Sequence, residues 1–152
     1  MSDLYFAYGS NLSHAQMKSR CPASTPDQFA VLRGYKLNFP FWVEKRWEGS
    51  GAAGIIQAQG SLVEGFLFRM TDDDFTRLDW WEAVHEDKYR RHMITVYTRD
   101  DAPIEAQTYI PTCSGEEQFL PSRVYLDTII GGAQDCGLSQ SYIDFLRAIR
   151  DD

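Results

Sequence analysis

The sequence predicts one α+β domain: a small, mixed, barrel-like sheet with a few peripheral helices. Three observations predict it. The elements run strand, short helix, several strands, helix, two strands, two helices, so the regular βα alternation of a doubly wound parallel sheet is missing. The chain has 152 residues, which is one domain by length, and a domain of that size buries ~70% of the surface its unfolded chain exposes. Hydrophobic residues make up 43% and aromatic residues 14%, enough for a core without a disulfide or metal staple. Closure of the sheet into a barrel is not visible in the periodicity.

Residues 4–8 (LYFAY) read as a buried strand, broken by Gly9 and Ser10. Residues 13–20 form a short helix with Ser10, Asn11 or Ser13 as its cap, stopped by Cys21-Pro22. Residues 29–43 hold one or two strands with a turn at Arg33-Gly34, and Pro40 bends or ends the second. The charges and glycines of residues 44–53 (EKRWEGSGAA) read as a loop. Residues 54–59 and 62–70 are two more strands, joined across Gly60-Ser61. Thr71 followed by Asp72, Asp73 and Asp74 is a helix start, with a capping hydroxyl and acids at the positive end of the dipole. That helix is expected to reach Ala83. Residues 89–98 and 104–111 are strands. Residues 121–130 and 138–149 are helices, the last with an apolar stripe of Leu138, Tyr142, Phe145, Leu146 and Ile149.

Charge and cysteines narrow the function. Fifteen basic against 22 acidic residues give a net charge of −7. The basic residues are dispersed, so neither nucleic acid nor an anionic membrane surface is the expected partner. Cys21, Cys113 and Cys136 form no disulfide framework and no zinc spacing. The N-terminus lacks a leader pattern, and no stretch approaches the ~18 apolar residues of a spanning helix. A reducing cytoplasm is the simplest expectation.

Two places could carry chemistry. If the helix opening at Thr71 continues at about 100° per residue, Glu82 falls within about 20° of Phe75 and on the stripe shared with Leu78. A carboxylate on a core-facing stripe is costly unless paired. Desolvation would raise its pKa and suit it to general base and acid work. The alternative is that the helix ends before Glu82, or that the side chain turns to solvent. The second place is Tyr8-Gly9-Ser10-Asn11-Leu12. A glycine at a strand-to-helix junction lets backbone approach a ligand, and the junction presents unpaired N–H groups suited to a carboxylate or an oxyanion. The alternative is an ordinary turn with a helix cap.

Other reactive-looking residues have plainer explanations. Ser10 is not in G-x-S-x-G, and Cys21 beside a proline reads as a small packed residue. His14, His85 and His92 show no ligand spacing. Asp72, Asp73 and Asp74 are explained as first-turn acids. Trp80 and Trp81, being adjacent, point apart, so at most one lines a pocket with Glu82. Tyr125 reads as core packing.

These places also carry a resemblance. LYFAYGSNLS at residues 4–13, GSLVEGFLFRM at 60–70, LDWWEAVHEDKYRR at 78–91 and the segment at 121–149 occur in order. Together they resemble the γ-glutamylcyclotransferase family, related to the avirulence-induced plant proteins. The resemblance implies a barrel-like α+β fold and an enzyme that cyclises a γ-glutamyl group to 5-oxoproline, expelling an amine or amino acid without cofactor or metal. It assigns acid/base catalysis to Glu82. It assigns substrate binding to Tyr5, Phe6, Ala7, Tyr8, Gly9 and Ser10, with Asn11 shaping the loop and Tyr125 closing on the substrate. The partner is then a small γ-glutamyl compound, and the protein a monomer or homodimer. The competing reading is a non-enzymatic module binding a small ligand or a protein on the same scaffold. One departure stands out. The family often has glycine after the glutamate, where this chain has Ala83, a narrower residue for the local turn. The distinguishing half of the substrate is expected to touch residues 44–53, Trp80, Trp81 and the stretch at 112–118.

Overall fold

The computed structural model describes residues 3–150. Five strands, β1 (Leu4–Ala7), β2 (Thr25–Val43), β3 (Ser50–Arg69), β4 (Tyr89–Tyr97) and β5 (Pro103–Pro111), close into a barrel in the order β1-β3-β2-β4-β5. β1 closes it, pairing antiparallel with β3 from Leu4↔Arg69 to Ala7↔Phe66 and parallel with β5 at Tyr5↔Gln107. Four buried residues in a row along β1 are what a strand covered on both faces requires.

β2 and β3 make one long hairpin. The sequence suggested turns at Arg33-Gly34 and Gly60-Ser61. The chain does not reverse at either. The two sites face each other, and the register jumps from Arg33↔Leu62 to Tyr35↔Gln57 before pairing resumes. Gly34 and Gly60 both have left-handed backbone there, so turn chemistry is spent on a paired irregularity that bends the ribbon. A second irregularity between Asn38 and Phe41 spans Pro40, which has no N–H to give the ladder. The expected loop is correspondingly shorter: β3 begins at Ser50, leaving residues 44–49 as the hairpin tip.

The helices are α1 (His14–Arg20), α2 (Asp72–Trp81), α3 (Arg123–Asp135) and α4 (Gln140–Ala148). Thr71 and Asp74 close a capping box on α2. Ser139 caps α4 and also donates, through N at 2.8 Å and Oγ at 2.6 Å, to the buried Glu64 of β3. α3 lies against the segment after β1. A Cβ at Gly132 would stand 2.5 Å from the backbone of Leu12 and Ser13, so only glycine allows this approach. Among the described residues no helix is long and apolar enough to cross a membrane, and the three cysteines are free.

Candidate active site

β1 leaves the barrel at Tyr8. Gly9 precedes a single 3-10 turn, Ser10–Leu12, in which Leu12 N donates to Gly9 O and Ser13 N to Ser10 O. The first N–H groups of this turn, on Ser10 and Asn11, have no carbonyl within it to bond. Across the barrel end, α2 stops at Trp81 and Glu82 is its C-cap. Phe75 and Leu78 are buried, and Glu82 follows on their side. The helix ends one residue before the glutamate, yet the side chain still turns inward.

Asn11 joins the two places. Its Oδ1 accepts from Gln16 Nε2 at 2.9 Å and from Arg20 Nη1 at 3.1 Å. A guanidinium can only donate, so the amide oxygen must face Arg20. The amide nitrogen is thereby aimed at Tyr5 Oη, 3.0 Å away, and Glu82 Oε1, 3.4 Å away. Gln16 Nε2 also donates to Ser10 Oγ at 2.7 Å.

Tyr5, Tyr8, Gly9, Ser10, Asn11, Ala53, Glu82, Tyr109 and Tyr125 line a cavity of about 30 Å³. Ser10, Glu82 and Tyr125 also line a wider cleft of about 580 Å³, so the cavity is the floor of that cleft. Glu82 keeps some contact with water through the opening, but crowding by protein atoms desolvates the carboxyl. Desolvation pushes its pKa up to about 6, against the opposing pull of Arg20 and Arg46. Burial also pushes Tyr125 up to about 12 and Tyr5 well above its ordinary value. Both phenols stay protonated at neutral pH. Tyr125 Oη accepts from Ala53 N at 2.9 Å, which leaves its hydroxyl proton to be given to a guest. Tyr8 Oη donates to Tyr109 O at 2.7 Å, and Tyr109 Oη to Asp79 Oδ1 at 2.6 Å, bracing β5 against α2 one turn before Glu82.

The structure thus brings together Tyr5, Tyr8, Gly9, Ser10, Asn11, Tyr125 and Glu82. Phe6 and Ala7 are fully buried in the barrel and lie outside the cavity lining. Of the tryptophan pair, Trp81 lines the cleft and Trp80 is 60% exposed. Residues 112–118 lie outside the cleft lining; Gln118 there accepts from Phe39 N instead. Sequence reasoning missed Arg20 and Tyr109, and it offered Arg46 and Ala53 only as members of the 44–53 stretch. Tyr109 had a signal, an inward position on an alternating strand. Arg20 had none, because its position depends on which segments meet. Ala83 occupies the left-handed region, φ 52° and ψ 43°, the backbone that a glycine after the glutamate would adopt freely.

Comparison with known proteins places the chain in a family. Residues 62–146 match the AIG2-like family. A mouse γ-glutamylcyclotransferase is 37% identical over 96% of this chain and 78% of its own length. The human γ-glutamylcyclotransferase is 33% identical over 97% of this chain and 79% of its own. A solved γ-glutamyl cyclotransferase structure superposes with a TM-score of 0.92 at 31% identity, covering 99% of this chain and 89% of that one. With relatedness running nearly end to end in both sequence and fold, this chain belongs to the AIG2-like γ-glutamylcyclotransferase family of enzymes.

Proposed function

We propose that the protein converts a γ-glutamyl amino acid or γ-glutamyl amine to 5-oxoproline and the free amine, with Glu82 as the one acid/base group. The observation that carries this reading is a desolvated carboxyl on the floor of a cleft, opposite a glycine-bearing turn.

A γ-glutamyl compound brings its own nucleophile. Its α-amine reaches the γ-carbonyl carbon to close a five-membered ring. The protein must hold that folded conformer, and the end of the wider cleft lined by Ser10, Glu82 and Tyr125, with the small cavity beneath it, is where it would do so. Glu82 takes a proton from the α-amine as its nitrogen attacks. An unperturbed amine pKa near ~8 lies closer to a carboxylate at about 6 than to an ordinary one, which narrows the transfer barrier. The C–N bond to the leaving group then breaks, and the Glu82 carboxylic acid returns the proton to the departing nitrogen. The negative charge that builds on the carbonyl oxygen is met by N–H groups of the Gly9-Ser10-Asn11 turn or by the Tyr125 hydroxyl. Asn11 donates to Glu82 and keeps the carboxylate turned toward the cavity.

The test is Glu82→Gln. The variant should keep its circular dichroism and lose 5-oxoproline release by ~10²–10⁴-fold. Turnover near the wild-type rate in a folded variant would remove Glu82 from the role.

A further inference from the structure

Charge is divided unevenly around Glu82. The inner cavity has no basic side chain in its lining, whereas Arg20, Arg46, Lys45 and Lys88 line the outer cleft. Arg46 stands on the hairpin tip. It donates to Trp81 O at 3.3 Å, and its guanidinium carbon lies 5.3 Å from the Trp81 ring centre. Arg20 lies against the same ring at 4.6 Å and gives a hydrogen bond to Asn11. The rim acids are otherwise engaged: Glu44 accepts from the Trp42 indole at 2.6 Å, and Glu86 sits 3.3 Å from His85. Arg46 is half-buried and lines the outer cleft together with Glu82, so a guest that reaches Glu82 through that cleft passes its guanidinium. The surrounding wall is made of rings, among them Phe41, Trp47 and Trp81. Trp47 is itself held 5.0 Å from Tyr125. A leaving group the size of alanine would leave most of the 580 Å³ unfilled.

We infer that Arg46, held on Trp81, is the residue that selects the leaving group: it takes the carboxylate of a departing α-amino acid whose side chain is aromatic or large and apolar. The inference rests on the cyclisation reading above and names the half of the substrate that reading leaves open. A planar guanidinium recognises a carboxylate through paired N–H donors, and flat rings pack against the walls with little loss of freedom.

The experiment compares kcat/KM for γ-glutamylphenylalanine, γ-glutamylphenethylamine (the same group without its carboxylate) and γ-glutamylalanine, in wild type and Arg46→Gln. Wild type should favour the phenylalanine substrate over the phenethylamine one by on the order of 10- to 100-fold, the usual weight of a charged hydrogen bond, and favour it over the alanine one. Arg46→Gln should bring the first ratio close to one, mainly through KM, with Arg46→Lys between. Equal wild-type use of the acid and the amine, a ratio unchanged in Arg46→Gln, or an equal loss on both substrates would overturn it. The last outcome would place Arg46 on the glutamyl half instead. Preference for alanine would overturn the aromatic assignment. Absence of 5-oxoproline from all three in wild type would overturn the cyclisation reading itself, and this inference with it.

Discussion

Replacing Glu82 by glutamine should make the protein more stable at neutral pH while destroying its activity. The carboxyl has its pKa raised from 4.5 to about 6 on folding. A raised acid pKa means that the native state holds the proton more tightly than the unfolded chain does. The stabilising contribution is therefore complete below about pH 4.5 and is lost as the pH rises through about 6. One pKa unit is ~1.4 kcal/mol, so the ionised carboxylate costs up to about 2 kcal/mol at pH 7.5. Contact with water in the cleft trims that figure, and ~1–2 kcal/mol is the working expectation. Glutamine has no charge to desolvate and keeps an oxygen for the Asn11 amide. Glu82→Gln should therefore melt ~2–6 °C above wild type at pH 7.5, and the gap should close near pH 4.5. Differential scanning calorimetry across that range measures it, beside 5-oxoproline release on the same samples. A variant that melts lower than wild type at pH 7.5, or a gap that does not change with pH, would refute the reasoning that the cleft strains its own carboxylate. The kcat/KM of wild type should show an acid limb near pH 6, since the base must be ionised in the free enzyme.

Ala83→Gly should stabilise the protein by ~0.5–1 kcal/mol, because Ala83 sits at φ 52° in backbone that glycine adopts without a Cβ clash; urea titration reads this out. Tyr125→Phe should cost ~1–3 kcal/mol by orphaning the Ala53 N–H, and should lower turnover; the first is checked by denaturant titration and the second by product release. Gly132→Ala should lose ~1–3 kcal/mol through overpacking, because its Cβ would meet the Leu12 and Ser13 backbone at 2.5 Å. Turnover should fall with it as the Gly9–Asn11 turn is pushed aside.

Much of this was legible in local chemistry. The Thr71 cap and the break at Gly9 depend on neighbouring residues alone, and the structure keeps both; the apolar stripe of α4 is kept at Tyr142 and Leu146, while Phe145 is exposed and Ile143 is buried in its stead. The inward direction of Glu82 was readable from Phe75 and Leu78 even though the helix ends at Trp81. What was not legible depends on distant pairing. Gly34 and Gly60 are each good turn residues, and only their juxtaposition across a hairpin decides that the ribbon bends instead of reversing. The length of β3 follows from the same cause, since Ser50 to Ala53 look like loop residues until β2 supplies their partners. The Asn11 amide is oriented by Arg20, the last residue of a short helix, and nothing in its neighbours along the chain marks that arginine as buried.

The β2–β3 hairpin does two jobs with one piece of chain. Its base is a stave of the barrel, and its tip walls the cleft that Glu82 also lines. Glu82 and the Gly9 turn come from other segments, and the tip reaches them through Arg46, which donates to Trp81 O and pulls on the Glu82 carboxyl, and through Trp47, which packs on Tyr125. A change in the length or side chains of the tip therefore reshapes the wall of the outer cleft while leaving in place the strands and helices that carry Glu82 and the Gly9 turn.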